Sequence, residues 1–497
     1  MTPADAIIRS APAEICRPWL RHILPHADWT ALSHAAAAEA WVLLAHWAET
    51  AHAHALFLNP AALTVTAVTT PVEAGHYPAI SPAIPAAAWY ERMVHDLWGH
   101  QAAGAADLRP WLDHGNWPLS PPMSTRPEPR QNQPPRLEGP DHDDDMLLPR
   151  GPVWGQLEEA AHLRLTLRGP TILRAEALLG FAHKGTMTLM RGKSPRAAAR
   201  FAARLSADAT VAHSVAFAQA TESAMDVTIP PRSVGLRIVM MEVERIAAHL
   251  DNLAEVARLA DARTPWASCG YLREILLRAS DAAFGHRLMM DGVVPGGLAA
   301  DIADGGSETI RRALGDIASE LPAIRRMHDS PALSSRLTGL GRAGGALAAS
   351  LAVGGIVGRA SGRAFDLRTV FAPGYADLMP RLAVRASGDA AARQHLRIRE
   401  IEESLRLISA TFAILPDGPV STVLPQVSGE GIGCAESVRG DVWHWLRLDH
   451  GQIAATFPRD PGWALWPLAE HVLQHAQADD IDLIRASLAL PASAMDL

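Results

Sequence analysis

At 497 residues the chain exceeds the size at which one hydrophobic core stops growing, so two or more domains are expected. Apolar residues make up 48% and charged residues 20%, a globular balance that excludes a disordered chain. A net charge of −8 excludes a broad electrostatic footprint for nucleic acid.

The cysteines stand at 16, 269 and 434, far apart in sequence. That spacing fits a reducing compartment and leaves no CxxC metal or redox motif. The best candidate for a membrane span, Ala343 to Gly358, is broken by five glycines and flanked by Arg342 and Arg359. It falls short of the roughly 20 apolar residues a spanning helix needs. Asp5 and Arg9 stand where a secretory signal would carry its basic and apolar regions. A cytoplasmic location without direct membrane insertion is expected.

Trp29 to Leu58 is rich in Ala, Leu and Trp and predicts a helix. It carries His34, His46, His52 and His54, but His52 and His54, two apart, would point to different helix faces. Leu63 to Val68 alternates and predicts a strand. A Pro-rich segment from about Trp117 to Pro152, with Pro127, Pro129, Pro134, Pro135 and Pro140, cannot hold a regular helix or a central strand. It reads as a linker, and Asp141-His142-Asp143-Asp144-Asp145 within it reads as a solvated acidic run. Residues 1–116 then form a small N-terminal domain, 117–150 the linker, and 151–497 a larger second domain.

Leu163 to Leu167 and Thr171 to Ala175, around Gly169, predict a hairpin. Beyond Ser194 the period becomes helical. Ala212, Val215, Ala216 and Gln219 share one face; Leu236, Val239, Met240, Val243 and Ile246 share another, after Pro230-Pro231. Leu396 to Phe412 gives a third helix. The fold class is therefore α+β: a small α/β domain joined to a mainly α-helical bundle with small antiparallel sheets. The glycines between 341 and 358 open no dinucleotide-binding turn after a strand, and no nucleophile-elbow serine is present.

Several stretches together carry a resemblance. Tyr77 to Ser81, Glu91-Arg92, Asp96-Leu97 with Gly99, and Asp107-Leu108-Arg109 resemble the C-type subunit of NADH:quinone oxidoreductase. Gly180-Phe181-Ala182-His183-Lys184-Gly185, Ala212-His213, Pro230-Pro231-Arg232, Arg237, Glu242, Glu244, Arg245 and His249 follow in second-domain order. Arg359-Ala360-Ser361-Gly362, Leu396-Arg397-Ile398-Arg399-Glu400 and Glu436-Ser437 with Arg439-Gly440 continue it. This part resembles the D-type subunit of complex I and the large subunits of energy-converting [NiFe]-hydrogenases of the formate-hydrogenlyase type.

Working hydrogenases of that family bind nickel and iron through two CxxC pairs, because such a site requires soft thiolates. The resemblance aligns Ser206 and Ala209 with the first pair and Pro491 and Ala494 with the second, so all four ligands are missing, and it puts Met187 near the place of the family's proton-transferring glutamate. No metal and no cofactor bound by this chain are expected, and an autonomous hydrogenase is not. In complex I, hairpin histidines and a tyrosine before the Ala-His dipeptide serve quinone; the aligned residues here are Trp154, Glu158 and Ala207. His183, His213, Arg237 and Arg359 are the remaining candidates for a functional role. Satisfied core histidines and buried ion pairs, the latter including Glu242 and Arg245, are the alternative reading of these positions.

The resemblance implies a subunit of a membrane-associated oxidoreductase complex. It would dock on a small iron–sulfur subunit and antiporter-like membrane subunits, peripheral to the inner face of the cell membrane. A quinone or another small acceptor would enter the former metal cleft, with transfer coupled to ion movement. A non-redox scaffold in an ion or inorganic-carbon transport assembly is the competing expectation.

Overall fold

The structure is a computed structural model that describes residues 2–115, 117–129, 142, 144–154 and 159–497. Pro134, Pro135, Pro140, Asp141, Asp143 and Glu158, named above, lie outside the described residues.

The N-terminal domain contains α1 (Pro3–Ser10), β1 (Ala13–Cys16), β2 (Trp19–Ile23), α2 (His26–Ala38), β3 (Val42–Ala48), β4 (His52–Asn59) and β5 (Thr64–Pro71). The short pair β6 (His76–Pro78) and β7 (Gln101–Ala103) flanks α3 (Ala88–Trp98). The main sheet has the order β1-β2-β5-β4-β3, with β2 and β5 parallel and the other pairs antiparallel.

The helix expected over Trp29 to Leu58 ends at Ala38, and the rest forms the hairpin of β3 and β4. Both strands are buried on both faces over nearly their whole length. Two-sided burial removes the alternation that marks a strand, and the Ala- and Leu-rich composition then reads as helix. His46 and His54 become core residues of this sheet. His46 sits between Tyr77 Oη at 2.9 Å and the His54 carbonyl at 2.7 Å.

The second domain opens with β8 (Met146–Arg150), β9 (His162–Arg168) and β10 (Thr171–Leu178), an antiparallel sheet with β9 at its centre. The expected hairpin is β9 and β10. The end of the expected linker is therefore an edge strand, and buried Asp145 accepts a hydrogen bond from Arg168 Nε at 3.0 Å.

The following elements are α4 (Thr186–Met190), α5 (Pro195–Ala202), α6 (Thr210–Met225), α7 (Pro231–Leu259) and α8 (Arg263–Phe284). Then come the two-residue strands β11 (Val293–Val294) and β12 (Gly297–Leu298), α9 (Gly306–His328), α10 (Pro331–Leu337), α11 (Gly345–Ser350), α12 (Gly355–Ala360) and α13 (Ala390–Ile414). The sheet β13 (Gly429–Glu436), β14 (Asp441–Asp449) and β15 (Gln452–Arg459), then α14 (Gly462–Leu473) and α15 (Ile481–Leu488), complete the chain.

The helices α7, α8, α9 and α13 pack into a bundle around one apolar core. Helix α6 lies directly on β13. Gly429, Gly431 and Gly433 alternate along the strand, and a Cβ on each would come within 2.2 Å of a carbonyl oxygen of Ala224, Ala220 or Ala216. Those alanines repeat every four residues along one helix face, so helix and strand meet backbone to backbone.

The two domains share a core. The Trp47 ring of β3 stacks on Phe457 of β15 at 5.5 Å, and Arg17 exchanges backbone hydrogen bonds with β13 at Glu430 (3.0 Å) and Ile432 (2.8 Å). Trp443, Trp445, Trp463 and Trp466 are all buried in it, whereas Trp154 is only half-buried. Among the described residues no helix is long and apolar enough to cross a membrane.

Candidate functional site

A cleft of about 810 Å³ opens between α7, the loop leading into α6, and the chain after α15; Ala207, Asp208, Glu244, Arg397, Arg439 and Pro491 are among its lining residues. The two segments that the resemblance aligns with metal ligands meet at its wall. Ser493 Oγ donates to the Leu205 carbonyl at 2.9 Å, and the Glu159 carboxylate accepts from the backbone N–H groups of Ala492 (2.5 Å) and Ser493 (2.7 Å).

The four aligned positions offer no thiolate. Ser206 is buried; its Oγ accepts from Arg439 Nη2 at 2.6 Å and donates to Asp208 at 2.8 Å. Ala209 is the buried residue immediately before α6 and presents only a methyl. Pro491 lines the cleft, its carbonyl taking the Trp466 indole N–H, and Ala494 is buried. Cys16, Cys269 and Cys434 are buried outside both segments, and burial pushes the Cys269 thiol up to about 12. Among the described residues, no three His, Cys, Asp or Glu side chains are grouped to hold a metal ion.

Glu244 is the most distinctive titratable group on the cleft wall. Its carboxylate reaches from α7 to the first turn of α6, accepting from Val211 N at 2.6 Å and Ala212 N at 3.1 Å. The positive end of α6 favours the ionised form. Burial outweighs those two donors and, with the charge of Asp208, pushes the carboxyl up to about 8. A carboxylic acid with that value holds its proton at neutral pH and can give it up to a basic product.

At the inner end, Arg397 from α13 lines the cleft although only 1% exposed. Its Nη1 lies 3.3 Å from His249 Nδ1, while His249 Nε2 lies 3.0 Å from Glu400. This geometry fixes a neutral imidazole with its proton on Nε2. Burial lowers His249 to about 4, in keeping with that state.

The candidates from sequence are distributed differently. His183 is half-buried; its Nδ1 lies 2.5 Å from the Asp496 carbonyl, and the Asp496 carboxylate accepts from Gly180 N and Ala182 N, each at 2.7 Å. It clasps its loop to Asp496 and is absent from the cleft lining. His213 is buried, with Nε2 3.0 Å from Asp460 and Nδ1 3.0 Å from His444. Burial raises Asp460, but the Arg439 charge and the His213 hydrogen bond outweigh it and leave the carboxyl at about 2.

Arg237 does not border this cleft. It grips Glu222 of α6 at 2.6 and 3.0 Å and lines instead a second cavity of about 850 Å³ beside the N-terminal part of α7, with Val234, Ile238 and Met241. Arg359, 1% exposed, is likewise drawn away from the cleft. It pairs with Asp366 at 3.2 Å, Glu436 at 3.0 Å and Glu400, inside a buried network with Glu242, Arg245 and Arg368. Glu242 in that network also accepts from Tyr375 Oη and Ser404 Oγ, both at 2.6 Å.

Neither Asp208 nor Glu159 is among the residues singled out above, and Glu244, Arg397 and Arg439 enter only as parts of family motifs. One signal was available. Glu242 and Glu244 are two apart on a helix and must face different neighbours, so one of them had to leave the bundle's ion network.

Residues 18–129 match the family described as respiratory-chain NADH dehydrogenase, 30 Kd subunit, and residues 261–430 match respiratory-chain NADH dehydrogenase, 49 Kd subunit. The chain is 26% identical over 430 residues to formate hydrogenlyase subunit 5 of Escherichia coli (strain K12), covering 83% of this chain and 75% of that protein. It is 27% identical over 434 residues to hydrogenase-4 component G of the same organism, covering 83% and 74%. Against the H-type subunit of NAD(P)H-quinone oxidoreductase from Synechococcus sp. (strain WH7803) it is 27% identical over 289 residues, covering 58% and 73%. A chain in the structure of the membrane-bound sulfane sulfur reductase, an archaeal respiratory membrane complex, shares the fold. Its TM-score is 0.67 at 22% identity, over 72% of this chain and 100% of that one. The chain thus carries a 30 kDa-type domain fused to a 49 kDa-type domain and is homologous to formate hydrogenlyase subunit 5, hydrogenase-4 component G and the H-type subunit of NAD(P)H-quinone oxidoreductase.

Proposed function

We propose that this chain is the large subunit of a membrane-associated oxidoreductase complex whose nickel–iron site has degenerated into a cleft for a quinone or another small electron acceptor. Electrons would arrive from iron–sulfur clusters of a small partner subunit. Transfer would be coupled to ion movement by antiporter-like membrane subunits, which hold the chain on the inner face of the cell membrane. The observation that carries this reading is the 810 Å³ cleft with Glu244, at about 8, on its wall.

The donor set does not fit a thiolate-bound metal pair, because Ser206, Ala209, Pro491 and Ala494 bring a hydroxyl, two methyls and a pyrrolidine ring. Reducing a quinone to a quinol consumes two electrons and two protons. Glu244 would supply one of those protons at neutral pH and, once reprotonated from solvent through the open cleft, the second.

One observation favours a non-redox scaffold in an ion or inorganic-carbon transport assembly. Trp154 spends its indole N–H on the Ala161 carbonyl at 2.7 Å, and Ala207 has no side-chain donor, so neither side chain offers a hydrogen bond to a quinone. Gentle detergent purification from native membranes, followed by mass spectrometry of what co-purifies, separates the two. An iron–sulfur subunit together with antiporter-like subunits supports the redox reading. Membrane subunits alone, or nothing, favour the scaffold.

A further inference from the structure

Charges on the cleft wall are mostly paired. Arg150 lies 2.8 Å from Asp482, Arg273 lies 3.3 Å from Asp251, and Arg439 pairs with Asp208. Arg397 breaks this pattern. Among the described residues no carboxylate stands within 4.0 Å of it, although it is 1% exposed and lines the cleft.

Its two terminal nitrogens make only long contacts, 3.3 Å to His249 Nδ1 and 3.4 Å to the Ser487 carbonyl. Its Nε is buried with no partner among the described residues. Behind it Arg393, 0% exposed, bonds Ser487 Oγ at 2.7 Å and the carbonyls of Gly341 and Gly388, again with no carboxylate in reach. Burial lowers Arg397 to about 10 and Arg393 to about 9, so both still carry their charge at neutral pH. A buried guanidinium with no carboxylate in direct contact is costly, and its unspent N–H groups call for an acceptor.

We infer that the inner end of the cleft is a carboxylate subsite, in which Arg397 takes the head group of a small organic acid. A planar guanidinium matches a planar two-oxygen anion through parallel hydrogen bonds. A single charge suits the site, since Asp208 already neutralises Arg439 and Glu159 adds negative charge nearby. Ala247, Ala248 and Leu490 on the same wall offer an apolar surface for the body of the acid. This inference rests on reading the cleft as a ligand site and narrows the acceptor to one that bears a carboxylate.

The test is equilibrium dialysis of the full chain against radiolabelled acetate and benzoate at constant ionic strength, with decylubiquinone binding measured on the same preparation. Saturable binding of one benzoate per chain is expected, roughly tenfold tighter than acetate because the ring buries apolar area. Sulfate should compete poorly. R397Q should weaken benzoate by about tenfold or more. If R397Q does not fold, R397K decides. It keeps the charge but loses the fork, and about fivefold weaker binding is expected.

Absence of saturable benzoate binding overturns the subsite, as does sulfate binding as well as benzoate, or binding untouched by either variant. Benzoate failure alongside decylubiquinone binding leaves the quinone cleft standing. Benzoate binding without decylubiquinone binding keeps the subsite and removes the quinone.

Discussion

His249 Nε2 on α7 lies 3.0 Å from Glu400 Oε2 on α13, and neither side chain is more than 6% exposed. Glu400 also pairs with Arg359 and stands 3.7 Å from Arg245 and 3.8 Å from Arg368. Burial alone would raise its carboxyl, but the Arg359 charge and the His249 hydrogen bond hold it well below the usual carboxylate range. E400Q leaves buried guanidiniums uncompensated and should cost about 3–5 kcal/mol in urea unfolding at pH 7. E402Q, on the same helix but 32% exposed in its pairs with Arg325 and Arg399, should cost less than about 1 kcal/mol. Equal shifts for the two variants would show that the network adds nothing specific. The depressed folded value also means that Glu400's contribution is present above pH 4.5 and is lost as the pH falls below it.

Glu244 should give the opposite pH dependence. Its folded value of about 8 lies above the ordinary 4.5, so the native state keeps a proton that the unfolded chain releases. The stability linked to that proton is full below pH 4.5 and is lost as the pH rises through 8. E244Q cannot ionise and still offers an oxygen to the first turn of α6. The stability difference between wild type and E244Q should therefore change by on the order of 1.4 kcal/mol per pH unit within that window, in favour of the variant at high pH. Unfolding curves at intervals from pH 5 to pH 9 measure it, and parallel stability profiles would reject the raised value.

These two glutamates illustrate what the sequence can convey. Nearly every side of α7 between Leu236 and Leu250 is buried, so helical periodicity locates the helix but does not assign Glu242 to one neighbour and Glu244 to another. The hairpin of β9 and β10 was legible because alternation and Gly169 mark it. The hairpin of β3 and β4 was not, because two-sided burial erases the period. Ser206, Ala209, Pro491 and Ala494 could be named from the motifs beside them. That Ser493 would meet Leu205, and that Arg397 would face the same cleft without a carboxylate, depends on segments far apart in the chain. No local pattern encodes that meeting.

The packing of α6 on β13 makes a sharp prediction about backbone approach. A Cβ at Gly431 would stand 2.1 Å from the Ala220 carbonyl oxygen, and neither the strand nor the helix backbone can yield without breaking its own hydrogen bonds. G431A should destabilise the chain by about 1–3 kcal/mol or more. G315A, on the exposed face of α9 where an added Cβ meets nothing within 4 Å, should be neutral or stabilising by up to about 1 kcal/mol. Thermal midpoints for the pair provide the comparison, and a harmless G431A would mean that α6 and β13 do not meet backbone to backbone.

Restoring thiols should not restore hydrogen chemistry. S206C, A209C, P491C and A494C together would return four sulfurs to the two segments joined by the Ser493–Leu205 hydrogen bond. Arg439, 2.6 Å from the Ser206 hydroxyl, would favour a thiolate at that position, so metal uptake and catalysis must be measured separately. The obstacle lies at Met187, buried near the place where the resemblance puts a proton-transferring glutamate. A thioether can neither take nor give a proton, whatever the metal does. Nickel content by mass spectrometry reports the first step, and hydrogen uptake with a viologen acceptor reports the second. The expected outcome is no uptake even in chains that retain nickel; uptake by the quadruple variant would show that position 187 is not needed for the proton.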